Sequence, residues 1–240
     1  MIAMRGAVAL GAATCVLACG RGKSDADSSP VREASSDSAP ATGSSAHPTR
    51  GNPRTVLFLG TSLTAGLGLD ADSAYPQLIQ RKIDGRALQY QVMNAGVSGE
   101  TSAGLLRRLD WVLQHPAAVI VVETGANDGL RGQQVSATKA TIGRILERIK
   151  KDRPEARVVL AQMEAPPNLG KEYTRAFHAM FPALAAEHGV ELMPFLLEGV
   201  AGFANLNQAD GMHPNVVGER RVADNVWRTL APLLSVNRDP

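Results

Sequence analysis

One serine, one aspartate and one histidine in this chain stand where nucleophilic chemistry would place them. Ser62 follows the run Thr55-Val-Leu-Phe-Leu59 and the glycine that ends it. Five β-prone, mostly apolar residues closed by a glycine read as a short strand buried on both faces. A hydroxyl just past such a strand lies at the carboxyl edge of a sheet, where open α/β folds keep their sites, so Ser62 is a candidate nucleophile. The nucleophile elbow of α/β-hydrolases does not account for it, because Gly60-x-Ser62-x runs into Thr64 rather than glycine. The plain alternative is a strand-to-helix turn in which serine serves only as a cap.

The second stretch is Asp210-Gly-Met-His213-Pro214. Proline suits the first position of a helix, which puts His213 at the helix entry. Asp210, three residues earlier across a glycine turn, can fold back and accept a hydrogen bond from Nδ1. That would leave Nε2 free to take a proton from Ser62. The competing reading is a helix-entry turn without chemistry. His47 falls in a polar segment, and His115, His178 and His188 lie in or beside helical patterns with no aspartate at comparable spacing. Two further loops offer donors, Gly96 through its backbone N–H and Asn127 through its side-chain amide. With the N–H of Ser62 they would form an oxyanion hole. Each alone is ordinary turn composition; their occurrence at successive strand ends carries the argument.

The elements that must position these groups alternate. Helical patterns span 73–83, 102–114, 135–151, 173–188 and 214–234, and strands span 55–59, 90–94, 118–122, 157–162 and 190–193. Arg144, Arg148, Lys150 and Lys151 read as a solvated helix face. The loop 163–171, with Pro166-Pro167, is expected to be irregular. Such alternation predicts an α/β domain over 54–236 with a parallel sheet covered on both faces.

The first fifty residues are of another kind. Residues 1–19 hold a lone Arg5 and an apolar run, and read as a signal peptide. Val16-Leu-Ala-Cys19-Gly20 resembles the lipobox of bacterial lipoproteins, with Cys19 as the lipidation site; a plain secretory signal cut at a nearby alanine is the alternative. Residues 20–53 are rich in Ser, Ala, Pro, Asp and Gly and cannot bury enough apolar surface to order themselves. A linker of that length reaches roughly 30 Å, suited to holding an exported domain off a membrane. Both cysteines, Cys15 and Cys19, fall in the leader, so the domain has no disulfide, thiolate metal site or cysteine nucleophile. The chain has 25 Lys and Arg against 23 Asp and Glu, of which residues 1–53 take five and four, leaving 20 against 19. No basic field points to nucleic acid.

These residues carry a resemblance. Ser62, Gly96, Asn127 and His213 fall in the four blocks of the SGNH (GDSL-type) hydrolase superfamily. Asn94-Ala-Gly-Val-Ser-Gly-Glu-Thr-Ser102, Gly125-Ala-Asn-Asp-Gly-Leu-Arg-Gly132 and Asp210-Gly-Met-His-Pro-Asn215 are similar to its bacterial periplasmic acyl-CoA thioesterase/lysophospholipase/arylesterase branch. The resemblance runs from about Thr55 to Leu234. It implies a flavodoxin-like five-stranded sheet, Ser62 as nucleophile, Asp210 and His213 as its relay, Gly96 and Asn127 as oxyanion donors, and no metal or organic cofactor. A monomeric periplasmic esterase is expected. Two departures stand out: Thr61 where the family has aspartate, which removes a charge near the nucleophile, and Ala126 where glycine is common.

Leu130, Pro166, Pro167, Leu169 and Met212 lie in or beside the active loops and are expected to form an apolar wall. That favours acyl esters, lysophospholipids or acyl thioesters as substrates. Carbohydrate O-deacetylation on the same fold and a flavodoxin-like binding lipoprotein without catalysis are the alternatives. Glu123, Glu164 and Asp128 are the remaining carboxylates near the loops, and a glycosidase pair among them is the weakest reading.

Overall fold

Val56, Leu57, Phe58 and Leu59 are wholly buried, as a strand sandwiched between helix layers requires. The computed structural model describes residues 52–235. The expected leader, Cys19 and the linker up to Gly51 lie outside the described residues.

In chain order the elements are β1 (Arg54–Gly60), the single turn α1 (Ser62–Ala65), α2 (Tyr75–Asp84), β2 (Tyr90–Gly96), α3 (Ser102–Val112) and β3 (Val119–Val122). Then come the short α4 (Ala126–Leu130), α5 (Val135–Asp152), β4 (Arg157–Ala161), α6 (Lys171–His188), β5 (Glu191–Met193) and α7 (Val216–Ser235). All strands are parallel, in the order β2-β1-β3-β4-β5. This is the flavodoxin-like order, as expected, and it reverses direction between β1 and β3. Loops leaving those two strands part there and open a crevice. Helix α2 packs with α7, and α3 and α6 pack on either side of α5, closing the two faces of the sheet.

Three local expectations are corrected. The helix expected from Ser73 begins at Tyr75, after a 3₁₀ turn at Ala71–Ser73. The closing helix starts at Val216 rather than Pro214. Pro214 forms an antiparallel bridge with Asn207, and the Asn215 side chain accepts from the N–H groups of Val217 and Gly218, each at 3.0 Å. An asparagine that satisfies two first-turn amides is the better cap, so the helix waits for it. Asn127 stands within α4, not in an open loop.

Candidate active site

The nucleophile turn is built by β1 and closed at once. Thr61 leaves the strand extended, Ser62 begins α1, and Gly66 ends it in the left-handed conformation. A first-turn amide has no intrahelical partner, so the N–H of Ser62 is uncommitted by the helix. Ser62 is 8% exposed and lines the crevice together with His213, Asn127 and Gly99.

Asp210 folds back as its spacing predicts. Its Oδ1 accepts from the backbone N–H groups of Met212 (2.9 Å) and His213 (3.0 Å), and its Oδ2 lies 2.6 Å from His213 Nδ1. The His213 N–H, the imidazole bond and the Met212 N–H hold the Asp210 carboxyl down to about 2, so it is ionised and acts only as acceptor. Nδ1 therefore carries the imidazole proton toward Asp210. Nε2, on the far side of the ring, is 2.8 Å from Ser62 Oγ and accepts the serine proton. Gln208 ties the two loops together: its Nε2 donates to Leu67 O (2.7 Å) and Pro214 O (3.0 Å), and its N–H donates to His213 O (2.7 Å). Nothing in the sequence marked Gln208, since its role is set by two backbone carbonyls.

The donors divide. Asn127 lines the crevice, and its Nδ2 also donates to Glu100 O at 3.0 Å. Its neighbour Asp128, buried, takes the N–H (2.8 Å) and hydroxyl (2.6 Å) of Ser102 and so anchors α4 to the start of α3. Gly96, the glycine donor expected from sequence, is corrected. Its N–H donates to Asn94 Oδ1 at 2.9 Å, and it does not line the crevice. A Cβ there would stand 2.4 Å from Ala65 N and 2.9 Å from Thr61 O, so this glycine lets β2 press against the nucleophile turn. Gly99, three residues on, lines the crevice instead, in the left-handed conformation at φ 76°. The backbone path, not the sequence, decides which glycine of the run faces the crevice.

The crevice has a volume of about 560 Å³. Leu130, Pro166, Pro167 and Met212 line it as expected, joined by Leu67, Met163, Phe195 and Leu197; Leu169 does not. Of the other carboxylates, Glu164 is on the wall, bonded through Oε1 to His178 Nδ1 (2.7 Å) and Gln162 Nε2 (2.9 Å). Glu123 is wholly buried beneath the nucleophile turn, and burial raises its pKa above the usual carboxylate range. With Asp128 also buried, no pair of these three faces across the crevice as a glycosidase would need. Among the described residues, no group of three His, Cys, Asp or Glu is placed to hold a metal ion.

A hydroxyl, an imidazole and an ionised carboxylate in series, at the switch point of a 2-1-3-4-5 parallel sheet, define the class: a serine hydrolase of the flavodoxin-like type. The chain belongs to the GDSL-like lipase/acylhydrolase family, which its residues 58–221 match, and it is a serine esterase of SGNH type. It is 39% identical over 182 residues to the esterase TesA of Pseudomonas aeruginosa, covering 75% of this chain and 90% of that one. It is 40% identical over 186 residues to thioesterase 1/protease 1/lysophospholipase L1 of Escherichia coli, covering 77% and 86%. The crystal structure of AlinE4, an SGNH-hydrolase family esterase, superposes with a TM-score of 0.64 at 35% identity, over 77% of this chain and 98% of that one.

Proposed function

We propose that Ser62 carries the acyl group of a carboxylic ester or thioester through a covalent acyl-enzyme. The observation that supports this most is the unbroken series Ser62 Oγ, His213 Nε2, His213 Nδ1 and Asp210 Oδ2, at 2.8 and 2.6 Å. Ser62 Oγ attacks the carbonyl carbon as its proton passes to Nε2. The resulting oxyanion is held by the N–H of Ser62, the N–H of Gly99 and Nδ2 of Asn127. His213 then gives the proton to the departing alcohol or thiol, and a water repeats the sequence to release the acid. Asp210 stays ionised throughout, holding the tautomer and stabilising the imidazolium.

The substrate is an acyl ester whose chain lies along the apolar wall of Leu130, Pro166, Pro167 and Met212. Names of the relatives span esterase, thioesterase and lysophospholipase, and a largely hydrocarbon wall suits the acyl part common to all three. Polar side chains on that wall are few, which disfavours a sugar as the departing alcohol and hence O-deacetylation. A series of p-nitrophenyl and coenzyme A esters of increasing acyl length, given to the purified protein, tests this. Rising kcat/KM from acetyl to medium chains supports the reading. A preference for acetylated sugars over every acyl series would replace it.

We further propose export of the domain as a monomer tethered by lipidated Cys19 and the linker 20–53. The apolar run before Cys19 and the small residue preceding it support this. Among the described residues, no helix is long and apolar enough to cross a membrane. Mass spectrometry of the mature N-terminus tests the anchor: a diacylglyceryl-modified Cys19 is expected, and cleavage elsewhere would replace it by a soluble secreted form.

A further inference from the structure

Glu123 follows β3 directly and has no solvent exposure. An uncompensated buried carboxylate is costly, and among the described residues no ion pair includes it. What holds it is a set of donors from the nucleophile turn. Oε2 accepts from Thr61 N–H at 2.7 Å and from Thr64 Oγ1 at 2.9 Å, and Thr61 Oγ1 lies 3.0 Å from both carboxylate oxygens. Tyr75 OH is 2.7 Å from Thr64 Oγ1. Thr64 has one hydroxyl proton, and it goes to Glu123, so Tyr75 donates to Thr64 and the chain Tyr75→Thr64→Glu123 runs one way.

The anchored residues bracket Ser62. Thr61, the extended residue before the turn, and Thr64 within it are both tied to Glu123, one on each side of Ser62, which lines the crevice. The fit is tight: a Cβ on Gly60 would stand 1.9 Å from Thr64 Oγ1 and 2.7 Å from Glu123 Oε2. Position 61 carries an uncharged hydroxyl side chain, and the structure brings a carboxylate to it from the neighbouring strand.

We propose that Glu123 is the positioning residue of the nucleophile turn, fixing through Thr61 and Thr64 the direction of the Ser62 amide and hydroxyl. It does not touch substrate. The inference rests on Ser62 being the nucleophile, and its test separates the two. Glu123→Gln keeps a carbonyl oxygen for the Thr61 N–H but replaces the other carboxyl oxygen with an amide NH2. The expected result is a folded protein with KM nearly unchanged. Its kcat, and its rate of labelling by a fluorophosphonate at Ser62, fall by roughly 10²-fold, as for a misplaced reacting group. Thr61→Val, isosteric and lacking only the hydroxyl, should lose kcat in the same direction, and Thr61→Ser should recover most of that loss. These two variants carry the test should Glu123→Gln not fold. A folded Glu123→Gln or Thr61→Val that keeps wild-type kcat and labelling rate overturns the inference, while leaving Ser62 in place. Failure of the wild-type protein to label at Ser62 would instead remove the reading on which it rests.

Discussion

His213 Nε2 stands 2.8 Å from Ser62 Oγ although 151 residues separate them in the chain. Two loops bring them together: one leaves an interior strand, the other precedes the last helix, and Gln208 clamps both. In the proposed reaction His213 is the proton acceptor, and its orientation is fixed from behind by Asp210.

Replacing Asp210 by asparagine should leave the fold intact and lower kcat by up to roughly 10⁴, the size of the loss when the triad aspartate of a serine protease becomes asparagine. Asp210 keeps its charge down to about pH 2. Loss of kcat/KM on acidification at any milder pH is therefore not caused by protonation of Asp210. A pH profile of wild type and Asp210→Asn, with circular dichroism on both, checks this.

Asn127→Ala removes a proposed oxyanion donor and should reduce kcat by about 10² to 10³ with a smaller change in KM. Steady-state kinetics on a p-nitrophenyl ester measure it. A variant with near-wild-type kcat would take Asn127 out of the oxyanion hole and leave it only its bond to the Glu100 carbonyl.

Gly96→Ala tests the packing assigned to that glycine. The added methyl would meet backbone atoms of Ala65 and Thr61, which cannot swing aside as a side chain can. Overpacking of this kind costs about 1–3 kcal/mol, so thermal unfolding should shift downward. An unchanged melting temperature would contradict the tight packing assigned to Gly96.

Glu219 gives stability a pH dependence of known sign. Burial raises its carboxyl to about 8, against the opposing bond from the Tyr75 N–H, so the folded protein holds this proton longer than the unfolded chain. The contribution is fully present below about pH 4.5 and is lost as pH rises to about 8, at up to about 1.4 kcal/mol per pH unit. Glu123, also raised by burial, acts in the same direction. Denaturant unfolding from pH 5 to 9 should show stability falling, and Glu219→Gln should flatten the fall. An equal slope in the variant would contradict it.

Much of this was legible in the sequence because it is written in local pattern. Apolar runs marked the interior strands 55–59 and 118–122, and the Asp210-x-x-His213 spacing marked the contact between the two side chains. Leu130, Pro166, Pro167 and Met212, apolar residues in the loops at the strand ends, line the crevice. What escaped depends on backbone direction or on contacts between distant segments. Gly96 and Gly99 are alike in sequence, but Gly96 is packed on Ala65 and gives its N–H to Asn94 while Gly99 lines the crevice. Pro214 fits a first helical position, yet its bridge to Asn207 and the capping by Asn215 move the helix two residues on. Glu123 could be seen as a carboxylate beside an active loop, but its burial beneath Thr61 and Thr64 is a matter of strand order.

Formation of the covalent acyl intermediate on Ser62 is tested most directly by intact and peptide mass spectrometry after reaction with a fluorophosphonate. One adduct per chain is expected, located on the peptide containing Ser62, and Ser62→Ala should lose both adduct and esterase activity while unfolding at the wild-type temperature. An adduct on any other serine, or a Ser62→Ala variant that still hydrolyses esters, would contradict it.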